Sequence, residues 1–117
     1  MPIKVDILKT IERNDRAIID VEFFKKAEPE EKYTEVGAEL FHKVQALTMA
    51  MARDFSEHQT MILGPYYETT TCLTHHIVHC TIICPKQLKD ELIAKTKEAG
   101  ENRDFEFKEV ENLSIPG

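Results

Sequence analysis

The sequence predicts an α+β domain in which an antiparallel sheet packs two helices on one face, in the order ββαββαβ. Two observations support this class. Several short segments alternate apolar and polar residues, as half-buried strands do. Two longer segments repeat apolar residues at helical spacing and therefore predict amphipathic helices. The chain of 117 residues has the length of one ordinary domain, so we expect residues 1–117 to form a single α+β domain.

The first two predicted strands cover residues 3–12 and 17–25, where Ile and Val recur at every second position. A two-residue turn between them would pair apolar with polar positions across the hairpin. A three-residue loop over residues 14–16 would instead place Ile7 opposite Phe23 and keep one face apolar. We therefore predict the longer loop, together with a β-bulge.

Two helices are predicted over residues 29–56 and 85–99. Pro29 and Pro85 stand where a helix favours proline, at its first position. Gly100 follows the second helix and is the expected C′ residue that ends it. The sequence therefore predicts one long helix between the two pairs of strands and a shorter one after them.

The second half of the long helix is apolar or small on nearly every side over residues 44–52. One sheet covers only one side of a helix, so the face formed by Ala46, Met49 and Ala50 needs a second cover, either the other helix or another subunit. An uncovered apolar face of this kind is typical of an interface. We predict a homodimer or higher homo-oligomer that uses residues 46–52.

Strands three and four are predicted over residues 60–71 and 73–84, which are rich in Thr, Ile, Val and Tyr. A Gly-Pro pair at 64–65 interrupts the first of them and indicates a bulge or an edge position. A last, short strand is predicted around Phe105 and Phe107. This strand completes the expected order.

The composition narrows the class of protein. Hydrophobic residues make up 42% and charged residues 31%, which is too apolar for a disordered chain and too polar for a membrane protein. A net charge of −6 argues against nucleic-acid binding, which needs a basic surface. The N-terminus lacks the pattern of a signal peptide, and three cysteines are not the even set of a small secreted domain. We expect an acidic, cytoplasmic protein with neither nucleic acid nor membrane as partner.

A candidate ligand site lies on strands three and four, where aromatic rings, hydroxyls and imidazoles concentrate with little charge. These groups suit a small polar or heterocyclic ligand, through ring stacking and neutral hydrogen bonds. The predicted binding residues are Tyr66, Tyr67, Thr69, Thr71, His75 and His79. The favoured function is therefore non-catalytic binding of a small ligand or a partner by a homo-oligomer, without a cofactor.

A metal site is the obvious alternative, because three histidines and every cysteine fall within residues 72–84. In a strand, however, His75 and His79 lie about 13 Å apart on one face, which is too far to share one zinc ion. We predict no metal. The three cysteines that are expected in the core instead are Cys72, Cys80 and Cys84.

Two short motifs suggest enzymes. The segment Pro2-Ile-Lys-Val-Asp-Ile-Leu8 resembles the opening strand of the tautomerase superfamily, which implies that Pro2 is a catalytic base once the initiator methionine is removed. The tautomerase strand leads into a helix, whereas here a second strand follows.

The triplets His58-Gln-Thr60 and His79-Cys-Thr81 resemble the paired motifs of the 2H phosphoesterases, which implies proton relay by His58 and His79. The alternative function is thus a small enzyme, tautomerase-like first and a phosphodiesterase or metal-dependent hydrolase second.

Overall fold

The computed structural model describes residues 3–55, 59–67, 74–107 and 114–116. It contains one six-stranded sheet and two α-helices, which confirms the α+β class. The elements in chain order are β1 (Ile3–Arg13), β2 (Arg16–Lys26), α1 (Tyr33–Asp54), β3 (Met61–Tyr67), β4 (His75–Pro85), a 3₁₀ turn (Lys86–Leu88), α2 (Lys89–Glu101), β5 (Phe105–Phe107) and β6 (Ser114–Pro116). The predicted order lacked the last strand, β6.

The strands lie in the order β3-β4-β2-β1-β5, and β6 also pairs with β1. The pairs β1–β2, β2–β4 and β3–β4 are antiparallel, whereas β5 and β6 run parallel to β1. The sheet is therefore mixed, and the prediction of a wholly antiparallel sheet is wrong. The reason is that β5 is reached through α2, and a helical crossover can return the chain in the direction of β1. Strand β3 lies at one edge and has a register shift between Leu63 and Tyr66, as the Gly-Pro pair indicated.

The β1–β2 hairpin has a different register from the predicted one. A two-residue turn joins the strands, and its first residue, Asn14, takes a positive φ of 56°. A bulge within β1, between Ile7 and Lys9, shifts the register so that Ile7 opposes Val21 rather than Phe23. The three-residue loop is therefore wrong, because the extra residue that keeps one face apolar lies inside the strand.

Both helices begin later than their prolines predicted. Helix α1 starts at Tyr33 rather than Pro29, and α2 starts at Lys89 after the 3₁₀ turn. Gly100 lies inside α2 and does not end it. A Cβ at this position would overlap the ring of Phe107, so this glycine allows β5 to pack closely against the helix. No helix in the described part of the chain has the length and apolar character to cross a bilayer.

The core lies on one face of the sheet, which we call the inner face. Alternate residues of β2 and β4 are buried there in one cluster with apolar residues of α1 and α2. Two of the predicted core cysteines, Cys80 and Cys84, are buried with free thiols, whereas Cys72 lies outside the described residues. Burial, with a smaller effect of Asp20, raises the pKa of Cys80 to about 12, so this thiol stays protonated and unreactive near neutral pH.

Candidate functional site

Strand β4 divides the predicted site residues between the two faces of the sheet. Its residues alternate between buried and half-buried along the whole strand, so His75 and His79 lie on the outer face and His76 on the inner face. Tyr66 pairs with His79, whereas the next residue, Tyr67, pairs with the buried Val78. The structure thus brings Tyr66 and His79 together on the outer face and places Tyr67 on the inner face.

The outer face is open and has modest polar contacts. The Nε2 atom of His79 lies 3.8 Å from a carboxylate oxygen of Glu22, and the two side chains are 30% and 22% exposed. The hydroxyl of Thr81 donates to Asp20 at 3.0 Å. Tyr66 is exposed over 55% of its surface. This face therefore presents flat polar and aromatic groups that remain in contact with water.

The inner face contains a fully buried histidine. The His76 side chain has 0% exposure, and its Nε2 atom lies 2.6 Å from Oε1 of Glu31, which is 12% exposed. Glu31 belongs to the segment that leads from β2 into α1. The hydrogen bond from His76 lowers the pKa of this carboxyl below its usual value, so it is ionised near neutral pH. An ionised carboxylate only accepts hydrogen bonds, and Nε2 of His76 is therefore the donor.

Two tyrosines complete this group, which we call the inner polar cluster: Glu31, His76, Tyr33 and Tyr67. The Tyr33 ring packs on the imidazole with a centroid separation of 4.1 Å and a tilt of 33°. Its hydroxyl donates to the carbonyl oxygen of His75 at 2.8 Å. The hydroxyl oxygen of Tyr67 lies 3.5 Å from Nδ1 of His76. The Tyr67 hydroxyl also forms a hydrogen bond with the Tyr33 hydroxyl, and because this bond raises the pKa of Tyr67, Tyr67 is the donor.

Burial is the main reason that the pKa of Tyr67 is raised, with further contributions from Tyr33 and Glu31. The hydroxyl therefore keeps its proton. A Cβ at Gly37 of α1 would overlap this hydroxyl. The absence of a side chain at Gly37 is thus what allows the Tyr67 hydroxyl to lie against the helix backbone.

A cavity of about 380 Å³ lies beside the inner polar cluster, between the first half of α1 and the end of β3. The walls that the described residues form are mostly apolar and contain no lysine or arginine. The lining residues are Tyr33, Thr34, Ala38, Phe41, His42 and Tyr67. Other cavities lie between α1 and α2, beside β5, and near the β1–β2 turn, and each of these has several charged residues in its walls. Among these four cavities, the one at Tyr67 has the composition typical of a small-molecule site.

Sequence reasoning missed most of this site. The available signal was the period of two along β4, which puts His76 on the same face as the buried Cys80, where a histidine must find a buried partner. The partner, Glu31, is 45 residues away in the sequence, and no local pattern links the two. No local pattern distinguishes Tyr33 and Phe41, which line the cavity, from the other apolar residues of the first predicted helix.

The remaining predicted residues lie outside the described part of the chain: Pro2, His58, Thr69 and Thr71. The tautomerase-like and phosphoesterase-like hypotheses therefore stay predictions. Within the described ranges, no group of three or more His, Cys, Asp or Glu side chains is placed to hold a metal ion. No protein-family model, curated protein or solved structure matches this chain.

Proposed function

We propose that the protein is a non-catalytic binding protein that holds a small, largely apolar ligand in the cavity between α1 and β3. The supporting observation is the position of this cavity, whose apolar walls lie directly beside the buried polar cluster. Apolar walls with a few fixed polar groups are the usual composition of a ligand site, because the walls supply affinity and the polar groups supply orientation. The proposed site keeps Tyr67 from the sequence prediction and adds the helix residues that face it.

The aromatic side chains of the site are held in place before a ligand arrives. The Tyr33 ring is fixed by its packing on His76 and by its hydrogen bond to the backbone. The Tyr67 ring is fixed between β4 and the α1 backbone at Gly37. A ligand that stacks on these rings therefore loses little binding free energy to the ordering of side chains.

The test of this proposal is a titration with naphthalene, a hydrocarbon without polar groups, followed by NMR chemical shifts. We expect shifts at Ala38, Phe41 and Tyr67. The variant Ala38→Phe should abolish them, because the new ring fills the cavity. The control variant Ala94→Phe places the same ring at an exposed position of α2 and should bind naphthalene as the native chain does. Shifts confined to other cavities would contradict the proposal.

The outer-face residues Tyr66, His75 and His79 remain a second candidate surface, for a partner rather than for a small ligand. The supporting observation is their arrangement on an open sheet face, where Tyr66 and His79 are directly opposed. A Tyr66→Ala and His79→Ala double variant should weaken partner binding and leave naphthalene binding unchanged. The reverse result would move the small-ligand site to the outer face.

We also propose that the chain forms a homodimer through β3. Among the described residues, the exposed large apolar side chains are Met49, Met61, Leu63 and Tyr66. The last three belong to β3, and Met49 belongs to α1, which contacts β3. No described strand pairs with the outer edge of β3. A second copy fits there because its own β3 supplies the same free backbone groups and apolar side chains.

The proposed dimer surface differs from the one predicted from the sequence, which was residues 46–52 of α1. Ala50 is 7% exposed and is buried within the chain, so it does not belong to a free face, whereas Met49 is 66% exposed. Light scattering at micromolar concentration should give the mass of two chains. Met61→Glu should reduce it to one chain, and Ala94→Glu should not. A monomeric mass for the native chain would contradict the proposal.

A further inference from the structure

We infer that the ligand of the Tyr67 cavity is a neutral or cationic aromatic molecule that donates a hydrogen bond, such as a phenol or an N–H heterocycle. This inference rests on the proposed function. It goes further by using the donors and acceptors of the inner polar cluster to define the chemistry of the ligand.

The donors of the cluster are already in use. The Nε2–H of His76 is bonded to Glu31 at 2.6 Å. The hydroxyl hydrogen of Tyr33 is bonded to the carbonyl oxygen of His75 at 2.8 Å. The hydroxyl hydrogen of Tyr67 is bonded to the hydroxyl oxygen of Tyr33. Each of the hydrogens that the cluster could donate therefore has an acceptor within the protein.

The acceptors of the cluster are not used up. A tyrosine hydroxyl has one hydrogen and can accept through its oxygen while it donates. The Tyr33 oxygen already accepts from Tyr67. The Tyr67 oxygen keeps acceptor capacity, and Tyr67 lines the cavity. The other polar lining residues, Thr34 and His42, are exposed, so water competes for them. A ligand that reaches Tyr67 thus meets an acceptor there, and it gains a hydrogen bond only if it supplies the donor.

The charge distribution excludes anions from this position. Glu31 is ionised immediately behind the two tyrosines, because its hydrogen bond from His76 lowers the pKa of the carboxyl. No lysine or arginine lines the cavity, so nothing in its described walls compensates a second negative charge. A carboxylate or phosphate at Tyr67 would lose its hydration, and it would gain neither a lysine or arginine nor an unused donor of the cluster in return. A neutral phenol or an N–H heterocycle supplies a hydrogen-bond donor and carries no negative charge, so it meets both requirements.

Three probes with the same ring system separate these requirements. 2-Naphthol donates a hydrogen bond, 2-methoxynaphthalene can only accept one, and 2-naphthoate is an anion. The chain has no tryptophan, so the fluorescence of the naphthyl group can be followed against a weak protein background. At neutral pH we expect 2-naphthol to bind about 3- to 10-fold more tightly than 2-methoxynaphthalene, the effect of one net hydrogen bond, and 2-naphthoate to bind most weakly.

The variant Tyr67→Phe removes one oxygen and keeps the ring. It should bring the affinities for 2-naphthol and 2-methoxynaphthalene close together while the affinity for 2-methoxynaphthalene stays unchanged. The control, Thr81→Val, removes a hydroxyl from the outer face of β4 and should preserve the preference for 2-naphthol.

Several outcomes would overturn the inference while the proposed function stands. These are equal binding of 2-naphthol and 2-methoxynaphthalene by the native chain, tightest binding of 2-naphthoate, and an undiminished preference for 2-naphthol in Tyr67→Phe. If the native chain binds no naphthyl probe at millimolar concentration, the proposed function itself fails, and the inference fails with it.

Discussion

Strand β4 carries two histidine–glutamate pairs, three residues apart and on opposite faces of the sheet. On the inner face His76 lies 2.6 Å from Glu31, with exposures of 0% and 12%. On the outer face His79 lies 3.8 Å from Glu22, with exposures of 30% and 22%. The same two residue types thus form a short, largely buried contact on one side and a longer, more exposed one on the other.

The difference between these pairs shows that burial determines how much a polar contact contributes to stability. Water screens the outer pair and can replace either partner, so pairs of this kind contribute little to stability. Water cannot reach His76, and the loss of its partner would leave a buried polar group without a hydrogen bond. The inner pair therefore holds the segment before α1 against the sheet and positions the cavity residues.

The largest expected effect is that of His76→Ala. This change opens a cavity in the inner layer and removes the partner of Glu31, so we expect the free energy of unfolding to fall by about 2–4 kcal/mol. The control, His79→Ala, should lower it by less than about 1 kcal/mol. Urea denaturation of both variants measures the contrast. Equal losses would show that the two histidines do not differ in the way their burial indicates.

Gly37→Ala should have the second-largest effect. Alanine normally favours a helix over glycine by about 1 kcal/mol, yet here the Cβ overlaps the hydroxyl of Tyr67. We therefore expect a net destabilisation of about 1–3 kcal/mol, with weaker binding of 2-naphthol. Glu39→Ala, an exposed change on the same helix, is the control and should leave both properties unchanged. A more stable Gly37→Ala variant would mean that the Tyr67 ring moves aside at no cost.

The charge of Glu31 should make the stability of the native chain depend on pH, and the comparison with Glu31→Gln measures this dependence. The pKa of Glu31 in the folded chain is lowered from its ordinary value of 4.5. Its contribution to stability is therefore fully present above that unfolded value, and it is lost as the pH falls through the folded pKa. We expect Glu31→Gln to be less stable than the native chain between pH 5.5 and 7. The difference should shrink as the pH falls below about 4.5. A difference independent of pH would show that the charge of Glu31 is not involved.

The smallest expected effect is that of Glu22→Gln on the outer face. The contact with His79 is long and hydrated, so we expect a change in the free energy of unfolding below about 1 kcal/mol. Added salt should reduce this change further, since it screens exposed charges. Thermal unfolding at low and high ionic strength provides the measurement. A loss as large as that of His76→Ala would remove the distinction between the two faces.

Much of the fold was predictable because it depends on local patterns. The alternation of β4 determines that Cys80 and Cys84 are buried, and it places His76 with them and His79 on the other face. The Gly-Pro interruption predicted the edge position of β3. These features depend on the period of two along a strand, and any register of the neighbouring strands preserves them.

The register of the hairpin and the direction of β5 depended on the tertiary structure. A bulge within β1 and a longer loop keep the same face apolar, and the sequence pattern does not distinguish them. The direction of β5 depends on how α2 crosses the sheet, and the sequence of a short strand does not specify that.

By itself, the sequence determined an acidic α+β chain whose β4 has one histidine on the apolar face and two on the other. Only the tertiary structure decided that Glu31, 45 residues away, meets His76, and that Tyr67 rests on Gly37 beside an apolar cavity. The physical reason is that a periodic pattern specifies which way a side chain points. Its partner, in contrast, depends on which distant segments of the chain share the same buried space.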